Sequence, residues 1–268
     1  MYLKNKPKKS MGQNFLVDKN IINKIIKIGN IEKEKKVIEI GSGYGNLTEA
    51  ILLSEPKSIL AVEKDKKLSD YLTIKFENNK NLKVLNQDIL YLLKKKKFNH
   101  NFLVFGNLPY NISTQILASF ITLKNWPPWY EILIFMFQKE VADRIIAKSN
   151  TKEFSRLSVL ANWRLEIKKH FNVSKNSFYP KPKVDSTVLS FKPKKNNFFK
   201  LRDPKNLEKI TRILFSNRRK MINKNMKNLF KEKTSMLKNL NINLDKRPGE
   251  LTNENYYKIA QEYEKLFD

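Results

Sequence analysis

The 268-residue chain contains no cysteine, which excludes disulfide staples and thiolate metal centres and is compatible with a reducing compartment. Histidine is nearly as scarce. His100 and His170 lie far apart and fit no metal-ligand spacing, so no metal site is expected. No apolar run approaches the roughly 18 residues of a membrane span. Residues 1–10 carry four lysines, but no apolar segment of signal-peptide length follows them. These absences lead us to expect a soluble, cytoplasmic protein. Acidic residues are the remaining shortage: 26 Asp and Glu face 53 Lys and Arg, a net charge of +27. Such a surplus favours a polyanionic partner, because each phosphate contact releases condensed counterions. A Lys- and Asn-rich composition inherited from an AT-rich genome gives the same excess, and composition alone does not separate nucleic acid from an anionic membrane surface.

What is present is a rhythm. Short apolar runs at 36–40, 58–62, 82–86, 102–106 and 132–137 alternate with helical patterns such as 46–54 and 138–148. This βαβα order predicts an α/β fold with a parallel sheet and right-handed crossovers. Beyond Ser155, "LSVLANW" reads as a helix, and 166–174 and 186–192 read as strands that pair as a hairpin at the sheet edge. The aromatic stretch Trp126-Pro127-Pro128-Trp129 reads as a loop packed by its own rings. After residue 192 the pattern is mainly helical, and Lys192–Pro248 carries 18 Lys or Arg against 4 Asp or Glu. Two domains are therefore expected: 1–192, catalytic, and 193–268, small, basic and helical.

"VIEIGSGYG" places Glu39 inside a strand and follows it with Gly41, Gly43 and Gly45. Glycines there let the backbone turn sharply and approach a ligand, and a helix beginning near Asn46 points its N–H groups at an anionic group. The spacing is not that of a pyrophosphate-binding loop. It suits a smaller ligand with a carboxylate. Glu63, immediately after the second strand, is suited to accept both hydroxyls of a ribose. Asp88, past the third, is suited to accept from an adenine amino group. Either acid alone is an ordinary loop residue; glycine loop and two acids in this order describe an adenosine carrying an amino-acid tail, S-adenosylmethionine.

"FGNLPYNIS" then follows the fourth strand. An adenine amino group donates its lone pair into the ring and is a poor nucleophile. The Asn107 side-chain oxygen and the Leu108 carbonyl are suited to accept its protons, and Pro109 stiffens their geometry. Tyr110 offers a ring on which an extruded base stacks, at about 1–3 kcal/mol per base.

With these motifs in place the sequence resembles the ribosomal RNA adenine dimethyltransferase family, in its bacterial small-subunit branch, over nearly its whole length. "GQNFLVD" at 12–18 is similar to the family's N-terminal signature, whose Asn14 and Leu16 positions close over the cofactor. "EIGSGYGNLTE", "VEKD", "QDIL", "FQKEVADRI" and "RLSVLANW" match in turn, and "SFYPKPKVDS" at 177–186 is the most branch-specific. The resemblance implies a Rossmann-like S-adenosylmethionine-dependent methyltransferase sheet with a small C-terminal helical domain. Phe178 is implied to cover the second face of the target adenine. "LFSNRRKMINKNMKNLF" is implied to form RNA-binding helices, where Arg218, Arg219 and Lys220 contact phosphates above a buried face of Met221, Met226, Leu229 and Phe230. The implied reaction is dimethylation at N6 of two adjacent adenines in the 3′-terminal hairpin loop of 16S rRNA. The implied substrate is the immature small subunit, met by a monomer.

Three rivals share parts of this pattern. A large-subunit rRNA adenine methyltransferase of the antibiotic-resistance type shares the cofactor motifs, but "PKPKVDS" and "RRKMI" argue against it. A DNA adenine methyltransferase usually carries Asp-Pro-Pro-Tyr where this chain has Asn107-Leu108-Pro109-Tyr110. A non-catalytic assembly factor would not need Asn107, Tyr110, Glu63 and Asp88 intact.

Overall fold

A computed structural model describes residues 12–95, 98–99, 101–196, 199–231 and 233–267; the basic leader 1–10 and His100 lie outside the described residues. The elements in chain order are β1 (Phe15–Leu16), α1 (Lys19–Gly29), β2 (Lys36–Ile40), α2 (Asn46–Leu52), β3 (Ser58–Glu63), α3 (Lys66–Lys75), β4 (Leu82–Asn86), α4 (Ile89–Lys95), β5 (Phe102–Asn107), α5 (Ser113–Ile121), β6 (Tyr130–Gln138), α6 (Lys139–Ile146), α7 (Arg156–Arg164), β7 (Leu165–Val173), β8 (Phe178–Tyr179), β9 (Ser186–Pro193), α8 (Pro204–Leu214), α9 (Asn223–Leu229), α10 (Thr234–Asn239) and α11 (Asn253–Glu264). Among the described residues no helix is long and apolar enough to cross a membrane.

Seven strands form one sheet in the order β4-β3-β2-β5-β6-β9-β7. β2 pairs in parallel with β3 and β5, β3 with β4, and β5 with β6, whereas β9 runs antiparallel to β6. The apolar runs behave as strands covered on both faces should: Val37, Ile38, Leu103, Val104, Phe105, Leu133, Ile134 and Phe135 are all buried. Alternate residues of these strands share a core with Ile22 and Ile25 of α1 and Leu47 and Ile51 of α2. Asp18 fixes where α1 begins, its carboxylate accepting from the N–H groups of Asn20 and Ile21 at 3.0 and 3.3 Å. The expected edge strands β7 and β9 are sheet neighbours, with β9 on the inner side against β6. Two-residue β1 and β8, which pair antiparallel as a separate ribbon, are too short to leave a periodic signal.

By mutual contact the chain divides into two units: Met1–Ser119 with Pro128–Ala142 and Ile167–Pro193, and Phe120–Pro127 with Asp143–Glu166 and Lys194–Asp268. The last passage between them lies at Pro193–Lys194, one residue from the expected boundary. The second unit also takes in two earlier segments that the sequence pattern assigned to the first domain. The physical reason is side-chain packing that local patterns do not encode. The Tyr257 hydroxyl of α11 donates to the Val159 carbonyl of α7 at 3.1 Å. Arg218 donates to the carbonyls of Lys152 and Phe154 at 2.9 and 2.6 Å.

Within that second unit Arg164 is a buried cation, only 4% exposed. Its guanidinium donates to the carbonyls of Ile121 and Leu123 at 3.1 and 2.7 Å. It also lies 3.9 Å from the centre of the Trp163 ring and 4.7 Å from that of Trp126. Trp129, within the first unit, stacks on Phe98 at 4.2 Å, so the rings of the 126–129 stretch are engaged in packing.

Arg164→Lys keeps the charge but loses the planar fork that reaches two carbonyls while lying flat on an indole. We expect a loss of about 2–3 kcal/mol in urea unfolding, the scale of hydrogen bonds to a charged group. A loss below about 0.5 kcal/mol, the range of an ordinary surface substitution, would show that the clamp contributes nothing.

Candidate active site

The sheet runs outward in both directions from β2 and β5, and the crevice beyond the carboxyl ends of strands at such a reversal is where open α/β sheets hold ligands. The parallel register pairs Ile40 with Gly106, so Gly41 and Asn107, the residues that follow, emerge side by side. A cavity of about 350 Å³ opens there, lined by Asn14, Gly41, Gly43, Glu63, Asp88 and Tyr110 among others. That volume lies at the lower end of small-molecule sites.

Gly43 is required twice over. Its φ of +56° disfavours any side chain, and a Cβ there would come within 2.7 Å of the Phe15 ring. Its N–H donates to Glu63 at 2.9 Å, so the second strand's acid holds the loop that follows the first. The other Glu63 oxygen accepts from the Asp65 N–H at 2.8 Å. Burial pushes the Glu63 carboxyl above its ordinary range, against these two backbone donors.

Asp88 stands at the start of α4, where its Oδ1 accepts from the Leu90 N–H at 2.8 Å, and Lys64 lies 2.9 Å from its other oxygen. Burial pushes this carboxyl up, but the Lys64 contact and the Leu90 N–H outweigh it and hold the pKa below the ordinary value. Asp88 is therefore an ionised acceptor on the cavity wall as well as a helix cap.

Asn107 ends β5. Its amide nitrogen donates to the Asn14 carbonyl at 2.8 Å, which leaves the side-chain oxygen as the acceptor, and Asn14 itself is steadied by a 3.3 Å bond from its amide to the Gly12 carbonyl. Leu108, buried with its side chain, and Pro109 continue the wall to Tyr110. The Tyr110 hydroxyl lies 2.6 Å from the Ser186 hydroxyl.

Two other expected residues are placed differently. Leu16 is buried in the core, its carbonyl accepting from the Asn46 amide at 2.8 Å, and lines a void of only about 30 Å³ beneath the glycine loop. Phe178 is its register partner and sits in the same apolar cluster, 4% exposed and away from the cavity lining. Alternation along β8 turns the next residue, Tyr179, outward.

In the second unit, Arg218, Arg219 and Lys220 are all exposed, and the Arg218 guanidinium also donates to the two carbonyls described above. Met226, Leu229 and Phe230 are buried as the pattern predicts, but Met221 is 53% exposed. It lies before α9 begins, in an irregular stretch where helical spacing does not apply.

The sequence pattern passed over two participants. Phe15, in the "GQNFLVD" stretch, lines the cavity and packs against Tyr44 at 4.6 Å, but a two-residue strand leaves no alternation to single it out. Ser186 closes the "SFYPKPKVDS" stretch, where nothing local shows that it meets Tyr110, 76 residues away.

Set beside known proteins, the chain matches the pattern of the family described as ribosomal RNA adenine dimethylase over residues 4–265. It is 47% identical to the ribosomal RNA small subunit methyltransferase A of Pelagibacter ubique, covering 97% of this chain and 98% of that protein. Its fold is similar to the crystal structure of a dimethyladenosine transferase from Plasmodium falciparum (TM-score 0.76, 27% identity, 94% of this chain and 98% of that one). The 23S rRNA methyltransferase ErmE shares the fold (TM-score 0.66, 21% identity, 93% and 99%).

Glu39, on β2 beneath the glycine loop, is 1% exposed and accepts from the Thr48 hydroxyl at 2.5 Å. Burial pushes its carboxyl from 4.5 up to about 7. Because the folded value lies above the unfolded one, the stability tied to its proton is fully present below about pH 4.5 and is lost as pH rises through about 7. Glu39→Gln keeps an acceptor for Thr48 without an ionisation. The stability gap between variant and wild type should widen in the variant's favour by about 3 kcal/mol from pH 4 to pH 8. A gap independent of pH in urea titrations would show that Glu39 is already ionised in the folded chain.

Proposed function

The chain belongs to the ribosomal RNA adenine dimethylase family and is an rRNA adenine dimethyltransferase, and from that premise we propose how its residues perform the reaction. The substrate is 16S rRNA in the immature small subunit. The targets are two adjacent adenines in its 3′-terminal hairpin loop, each receiving two methyl groups. The observation that carries the chemistry is the Asn107 amide, whose nitrogen is held by the Asn14 carbonyl and whose oxygen remains to accept.

The cavity fits S-adenosylmethionine. Gly41 and Gly43 present backbone to the cavity, their missing side chains letting Asn107 and Phe15 pass close by; Glu63 takes the ribose hydroxyls and Asp88 the adenine amino group. Both acids retain acceptor capacity beyond the donors they already hold, since an ionised carboxylate offers about four lone-pair sites. When bound, the cofactor supplies an electrophilic methyl on a sulfonium.

The protein's part is orientation. Asn107 oxygen and the Leu108 carbonyl accept the two protons of the target amino group, bending it toward tetrahedral and freeing its lone pair. Tyr110 stacks on one face of the extruded base. Phe178 covers the other by turning out of the apolar cluster in which it is packed. No strong base is needed, because an alkylated ammonium-like nitrogen is acidic and loses its proton to water. Exposed Arg219 and Lys220 contact rRNA phosphates, which anchor without reading sequence. The chain acts as a monomer in the cytoplasm.

Unmethylated small and large subunits, supplied separately with labelled S-adenosylmethionine, test the substrate; label on the large subunit alone would overturn the assignment. Asn107→Ala should bind cofactor nearly as wild type while losing at least about tenfold in turnover, since its acceptor matters mainly as the amino group pyramidalises. Retention of most of the rate would remove Asn107 from the chemistry. Asp88→Ala and Glu63→Ala should instead weaken cofactor binding first, and unchanged calorimetric affinity in both would refute the adenosine pocket.

Neutralising Arg219 and Lys220 together should reduce the salt slope of small-subunit binding by roughly 0.7–0.9 for each phosphate that is no longer neutralised, with cofactor affinity unchanged. Identical slopes for variant and wild type would assign the pair to solvated surface.

A further inference from the structure

We infer that Ser186 is a positioning residue for the reaction, holding the Tyr110 ring in place through its hydroxyl. The inference rests on the proposed stacking of the target base on Tyr110 and deepens it. The starting observation is the 2.6 Å contact between the two hydroxyls. A tyrosine used only as a flat platform has no need of its phenolic oxygen, since a phenylalanine ring offers the same face. This oxygen is committed to a fully buried partner.

Ser186 is unusually well anchored for a residue that follows a loop. It opens β9 and pairs with Gln138, the last residue of β6. The residue before it is held from two sides: the Asp185 carbonyl accepts from the Lys139 N–H at 2.9 Å, and its carboxylate accepts from the Lys175 N–H at 2.9 Å. Because β9 runs antiparallel to β6, its first residue lies at the carboxyl end of the parallel strands, where β5 delivers Asn107 and Tyr110. The tether thus runs from the loop after β5 to β9, a strand that pairs beyond β6 in the sheet order.

At the near end, the Tyr110 backbone is fixed by its own turn. The Ser113 hydroxyl donates to the Tyr110 carbonyl at 3.2 Å, and the Ile112 N–H donates to the Pro109 carbonyl at 3.1 Å. Backbone anchoring alone leaves χ1 and χ2 free, and the aromatic χ2 is broad. A second anchor at the para position fixes χ1 and with it the direction of the ring's long axis. Because the phenolic O–H prefers the ring plane, it also biases χ2, so the ring is positioned before a base arrives. An extruded adenine stacked on a ring anchored at both ends presents its amino group at a defined position to the Asn107 oxygen. A misplacement of about 1 Å can cost on the order of 100-fold in rate. The same bond excludes the phenol from proton transfer: burial pushes its pKa up, and its oxygen is already engaged.

The test compares Ser186→Ala, Tyr110→Phe, the double variant and Tyr110→Ala on unmethylated small subunits with S-adenosylmethionine, reading kcat, both KM values and thermal midpoints. Expected are a roughly 10- to 100-fold lower kcat in Ser186→Ala and a similar loss in Tyr110→Phe. The double variant should be no worse than either single, and the KM for S-adenosylmethionine should not change. Should Ser186→Ala fail to fold, Tyr110→Phe reads the same bond from its other end. Wild-type kcat in Tyr110→Phe, or losses that multiply in the double variant, would overturn the inference even if thermal midpoints fall. If Tyr110→Ala also turns over normally, the stacking role itself fails and the tether with it; a crippled Tyr110→Ala beside an unaffected Tyr110→Phe refutes only the tether.

Discussion

The parallel register of β2 against β5 is the constraint on which the site depends. With Ile40 opposite Gly106, the glycine loop and the Asn107 segment leave the sheet together, at the point where the strand order turns outward in both directions. A Cβ on Gly41 would lie 3.4 Å from the Asn107 carbonyl, a measure of how closely the two segments pass. A slip of one residue would turn the side chains of either strand to the opposite face and bury Asn107. Because both faces of these strands are apolar, burial alone does not forbid the slip; the complementary shapes of the packed side chains and the polar residues that bound each strand oppose it.

Around this crossing the site is built by side chains that each hold another. Glu63 fixes the Gly43 backbone, the Asn14 carbonyl fixes the Asn107 amide, and Ser186 meets Tyr110. Each link has one end on a strand terminus and the other on a loop. Loops carry the reactive groups of most enzymes but move more than the scaffold, and here distant strand ends limit that motion. The cost is carried by burial of acids: Glu39 and Glu63 are both held above their ordinary pKa beneath the loop.

The large positive charge acts on a different scale. Most of it is spread over exposed lysines, where individual ion pairs contribute little, and its use is long-range attraction of a polyanion. Arg164 is an exception, buried with its guanidinium directed at backbone carbonyls inside the second unit. Arg218 combines the two uses: it is exposed like Arg219 and Lys220, yet its guanidinium also donates to the carbonyls of Lys152 and Phe154.

The five parallel-sheet strands, the glycine loop, Glu63, Asp88 and the Asn107–Tyr110 segment were legible in the amino-acid sequence. Each is a local pattern: an apolar run long enough for a buried strand, followed at once by residues whose conformation or acceptors have a use. The orientation of the Asn107 amide was not legible, because it depends on a carbonyl 93 residues away. Nor were the Ser186 partner of Tyr110, the burial of Phe178 beside Leu16, or the carbonyl partners of Arg218. In every such case the side chain's identity was plain, and its direction was set by long-range packing. Strand periodicity fixes which residues share a face; only assembly of the sheet and of the short β1–β8 ribbon decides which face turns inward.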